Sequence, residues 1–67
     1  MTKVEQEFLK KEVQITVNET EDKEDALQYV EDILFEYQAK FGFTDLATED
    51  EIKTFIKKAI NESLKRQ

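Results

Sequence analysis

Histidine, cysteine, proline and tryptophan are absent from this chain of 67 residues, and glycine occurs once, at Gly42. Without cysteine there is no disulfide staple, and without cysteine or histidine a structural zinc site loses its usual ligands. The same absences remove the thiolate nucleophile and the side chain that most readily moves protons near neutral pH. Catalysis would have to rest on carboxylates, lysines or hydroxyls, in a domain with little room for a ligand cleft beside its core. The expectation is a noncatalytic protein with no cofactor and no metal. No apolar run is long enough for a signal peptide or a membrane span, so a cytoplasmic protein is expected, away from membranes. The sequons at Asn18-Glu19-Thr20 and Asn61-Glu62-Ser63 then carry no consequence. With no proline and no Ser/Gly-rich tract, residues 1–67 read as a single domain without an internal linker.

The hydrophobic pattern predicts an α+β fold. In KEVQITV, residues 11–17, Val13, Ile15 and Val17 alternate with Glu12, Gln14 and Thr16, the period of a half-buried strand rich in β-branched residues. Ahead of it, Thr2 and Glu5 have capping-box spacing, while Val4 and Phe8 equally suit a short β element over residues 2–9, which is the reading adopted. From about residue 22 to 41 the period becomes helical, with Ala26, Leu27, Val30, Ile33, Leu34, Tyr37 and Phe41 on one arc. Asp22 or Thr20 is placed to cap its start, and Gly42 its end. A second helix, about 49–65, opens on the capping box Thr48-Glu49-Asp50-Glu51 and carries Ile52, Phe55, Ile56, Ala59, Ile60 and Leu64 on one face. Glu49 with Lys53, and Glu62 with Arg66, are favourable i, i+4 pairs. The short link Phe43–Ala47 makes the helices antiparallel, with Leu34, Tyr37, Phe55 and Ile56 between them.

A lone strand leaves its backbone groups unpaired, and below roughly 70–80 residues a single core rarely supplies more than about 3–5 kcal/mol. A homodimer through a strand interface at Val13, Ile15 and Val17 would relieve both deficits.

Charge is unevenly placed. Residues 1–17 are neutral, residues 18–51 carry a net −10, and residues 52–67 a net +4, giving −6 for the chain. NETEDKED, residues 18–25, holds five carboxylates against one lysine. Acids near helix N-termini are ordinary macrodipole chemistry, yet Glu24, Glu31, Asp32 and Glu36 extend the acidity along the first helix, away from its apolar arc. Phe35 sits among them, either packing under the strand or against the N-terminal segment, lying in the dimer contact, or serving as the anchor of a charged binding surface. The acids do not fit an EF-hand calcium loop: counted from Asn18, the glycine and glutamate positions hold Lys23 and Tyr29. The cluster Lys53, Lys57, Lys58, Lys65 and Arg66 reads as a solvated face, and the net charge repels phosphate, so direct nucleic-acid binding is not expected.

On one helix, Asp25 and Asp32 would stand about 10 Å apart along the axis, and Asp32 and Glu36 about 6 Å, the scale of neighbouring phosphates on a nucleic-acid strand. In size, acidity and lack of catalytic residues the chain resembles the small DNA-mimic inhibitor proteins with which bacteriophages take over host functions. The likeness is to a class and transfers no site residue. It implies a basic DNA-binding partner, such as an HU-type nucleoid protein, a restriction enzyme or a repair glycosylase. The residues expected to meet it are Glu19, Glu21, Asp22, Glu24, Asp25, Glu31, Asp32, Phe35 and Glu36. The alternative is a small adaptor or regulatory module in which acidity serves solubility.

Overall fold

The computed structural model describes residues 2–42 and 45–65, and among these every regular element is a helix. They are α1 (Lys3–Glu19), the short α2 (Lys23–Leu27), α3 (Val30–Phe41) and α4 (Leu46–Lys65). The expected α+β fold is therefore wrong: residues 11–17 lie in α1, as do residues 3–9 of the β element assigned to 2–9, with Thr2 as the cap of the helix.

The reason lies in the spacing of Leu9, Val13 and Val17. They are four residues apart, which stacks them on one helical face, and all three are buried. Ile15, the third member of the supposed strand face, points away and is 44% exposed. Local chemistry agrees with the helix. Thr2 caps it, its hydroxyl accepting from the Glu5 N–H at 3.2 Å. At the other end Thr20 leaves the helical conformation and its hydroxyl donates to the Thr16 carbonyl at 2.9 Å. With no strand among the described residues there is no ladder to share, and two of the three residues assigned to a dimer interface, Val13 and Val17, lie in the core of their own chain.

Asp22, not Thr20, caps α2, accepting from the Asp25 N–H at 2.8 Å. The single rod expected over 22–41 is interrupted at Gln28 and Tyr29. Their N–H groups reach back only three residues, to the carbonyls of Asp25 (3.2 Å) and Ala26 (3.1 Å), before the α pattern resumes with Ile33 N–H to Tyr29. Gly42 does end α3, its N–H donating to the Gln38 carbonyl, but with φ +100° and ψ 164° it adopts an extended conformation open almost only to glycine. The last helix starts earlier than the Thr48 box. Asp45 receives the Thr48 N–H at 2.8 Å on its side chain and the Glu49 N–H at 2.9 Å on its carbonyl. Of the expected link, Phe43 and Thr44 lie outside the described residues, as does Arg66 of the second ion pair.

Phe8 at the start of α1 packs on Phe41 at the end of α3, and Gln38 late in α3 bonds Glu49 early in α4. The three longer helices, α1, α3 and α4, thus run up, down and up, each packed on the other two. Leu9, Val13 and Val17 meet Ala26, Val30, Ile33, Leu34 and Tyr37 and the α4 ridge Ile52, Ile56 and Ile60. Burying such a side chain fully is worth about 1.5–3 kcal/mol. Phe55, expected in this core, lies at its edge, partly buried beside Ala59 and Leu64. The radius of gyration, 11.3 Å, is close to the roughly 11 Å of a folded chain this long, so one chain closes the core by itself.

Candidate protein-binding face

The outer face of α3 is set by its inner one. Val30, Ile33, Leu34 and Tyr37 hold the helix against α1 and α4, which turns Phe35 outward at roughly 140° from Val30. Phe35 is 65% exposed, the most exposed of the large apolar side chains on this helix. The alternative that it packs under the N-terminal segment does not hold. Glu31 and Asp32, one turn before it, are its helical neighbours and are exposed, and Glu36 flanks it. An aromatic ring raised among carboxylates can supply apolar contact at its centre and charge attraction around it.

The remaining acids expected at the site form a second group. Glu19 ends α1, Glu21 and Asp22 form the turn, and Glu24 and Asp25 lie in α2. All are exposed except Asp25, which is half-buried. Asp22 is engaged in capping, so part of NETEDKED serves the fold. The break at Gln28–Tyr29 separates this group from α3, and the axial spacing counted from Asp25 to Asp32 on one rod does not apply. The Asp32–Glu36 spacing, within α3, does.

Folding also brings the basic segment to the acidic one. α4 packs along α2 and α3, and Lys53 Nζ stands 3.6 Å from Glu31 Oε1. With the Glu31 side chain 83% exposed, this pair contributes only about 0–1 kcal/mol. Asp32, Glu36, Glu19, Glu21 and Glu24 form no ion pair with a described residue. No group of three carboxylates among the described residues could hold a metal ion, and no described helix is long and apolar enough to cross a membrane.

Two features were not legible in the linear pattern. Tyr37, buried on α3, donates its hydroxyl to Glu5 Oε2 across 32 residues of sequence. Burial first, then the bond to Glu5, push the Tyr37 phenol up to about 12; accepting from Tyr37 chiefly holds the Glu5 carboxyl below its ordinary value. The rings of Phe41 and Tyr37 lie 5.0 Å apart and Lys40 Nζ sits 4.9 Å above Phe8, which fastens the end of α3 to the start of α1. The second feature is an open depression of about 210 Å3 between α1 and α4, lined by Lys10, Phe55, Lys58, Ala59 and Glu62. Lys10 reaches it from α1 and the other four residues from α4.

Compared with protein-family models, curated proteins and solved structures, the chain matches none.

Proposed function

We propose that this protein is a noncatalytic binding module that presents the outer face of α3 to a basic protein and occupies that partner's nucleic-acid-binding surface. The observation that carries the reading is Phe35, exposed on a rigid helix beside Glu31 and Asp32 with Glu36 at its flank. Carboxylates on one face attract a basic surface at long range and speed encounter, while a desolvated aromatic anchor slows release. The exposed acids of NETEDKED add to the negative field around the chain. A DNA-binding partner of this kind places the encounter in the cytoplasm. The adaptor reading is favoured by one observation, the Lys53–Glu31 pair, which neutralises part of the acidic rim with the chain's own base.

Affinity capture from a bacterial lysate, washed at low and at high salt and then eluted with duplex DNA, separates the two. Mimicry predicts DNA-binding proteins that are held at low salt, lost at high salt and released by DNA. Proteins retained through high salt and indifferent to DNA would put the adaptor in its place.

A further inference from the structure

The acidic face and the α1–α4 depression are complementary, and they lie on opposite sides of the bundle. Around α4, Lys53 marks the side facing α3 through its contact with Glu31. Phe55 and Lys58, in the depression, are roughly 160° and 140° from it at 100° per residue. The depression therefore opens away from α3, whose own outer face carries Phe35. One surface is a projecting ring beside carboxylates. The other is a recess lined by an aromatic residue, Phe55, two lysines, Lys10 and Lys58, and one acid, Glu62. An apolar cavity of about 150 Å3 is enough to hold benzene, so about 210 Å3 gives room for a phenyl ring.

We propose that the occupant of the depression is a second copy of this chain, which inserts Phe35 against Phe55 and sets Asp32 and Glu31 against Lys58 and Lys10. Because knob and recess face opposite ways, the contact is heterologous: each copy keeps a free knob at one end and a free recess at the other, so association continues past the dimer. The chain's net charge of −6 opposes approach at long range. Salt near 0.1 M, with a screening length of about 10 Å, suppresses that repulsion more than the contact pairs themselves. Self-association uses the same acidic face as the proposed partner contact but rests on no external partner.

The test is sedimentation equilibrium of the full chain from micromolar to millimolar concentration in about 0.1 M salt. The wild type is expected to rise from 7.9 kDa to beyond twice that mass. Two variants at exposed positions separate the surfaces: Phe35→Ser with Asp32→Lys lacks the knob, and Lys10→Glu with Lys58→Glu lacks the recess. Each alone should remain monomeric. Mixed in equal amounts they should form a heterodimer and nothing larger, since each supplies the half the other has lost. A wild type that stays at 7.9 kDa to millimolar concentration overturns the proposal, as does a recess variant that associates like the wild type, or a mixture that stays monomeric. The recess variant keeps the acidic face intact, so its capture of a basic protein from lysate reports on the partner reading separately.

Discussion

Replacing Leu9 and Ile15 by alanine, one at a time, measures which face of α1 is buried. Leu9 is 0% exposed within the three-helix core, and its truncation removes buried methyl groups and leaves a cavity, a change that costs about 2–5 kcal/mol. A chain of this length has a total stability of about 3–10 kcal/mol at roughly 0.05–0.15 kcal/mol per residue. A loss near 3 kcal/mol lowers the melting temperature by about 12–24 °C at roughly 4–8 °C per kcal/mol, and toward the upper end of the range the chain unfolds at ambient temperature. Ile15, 44% exposed on the opposite face, loses little apolar burial, and alanine's helix propensity offsets part of that loss. Its substitution should stay within about 0.5 kcal/mol of wild type. Thermal and urea unfolding followed by far-UV circular dichroism gives both numbers. Had residues 11–17 formed a strand with Val13, Ile15 and Val17 inward, Ile15→Ala would cost about as much as Leu9→Ala. Equal losses would refute the helical assignment of α1 and the core built on it.

Gly42→Ala meets no atom within 4 Å but forces a Cβ onto φ +100°, and should cost about 1–3 kcal/mol in the same unfolding assay. Tyr37→Phe should flatten the pH dependence of stability at both ends. The lowered Glu5 carboxyl contributes stability that is present above its unfolded pKa and lost as pH falls through the folded one; the Tyr37 phenol, raised to about 12, contributes stability that is full below 10 and lost as pH climbs toward 12. A variant whose pH profile overlays the wild type would show that the Tyr37–Glu5 bond contributes nothing to stability. Neutralising Glu19, Glu21 and Glu24 to glutamine leaves the Asp22 cap in place and should change stability by no more than a few times the 0.3–1 kcal/mol of a dipole contact, roughly, while slowing association with a basic partner. An association rate that does not change in a stopped-flow or surface-binding measurement would leave NETEDKED a structural turn.

The two later helices were legible because their apolar residues recur at helical spacing over about two turns, from Val30 to Tyr37 and from Ile52 to Ile60. In α1 two periods coincide. Val13 and Val17 belong both to an alternating set with Ile15 and to an i, i+4 set with Leu9, and the β-branched run favoured the wrong one. The capping spacing of Thr2 and Glu5 was the local signal for the helix, and tertiary packing on α3 and α4 decides between the two periods. The interruption at Gln28–Tyr29 carries neither proline nor glycine, so nothing in the local sequence marks it. Asp45 precedes the Thr48 box by one turn and captures the cap. Phe35 was legible as an aromatic out of phase with its helix, but whether anything covered it depended on where α1 ran. The acid and base blocks read as separate in the chain because sequence order hides that α4 folds back along α2 and α3, where Lys53 meets Glu31.

The proposed role of Phe35, anchoring a basic partner while the carboxylates around it steer the encounter, is tested by the dissociation rate of a captured partner from Phe35→Ala. An anchor contributing about 2 kcal/mol corresponds to roughly a 30-fold faster release, with the association rate little changed and the fold intact, since the ring is already exposed. Release at the wild-type rate, from a variant that unfolds at the wild-type temperature, would contradict it.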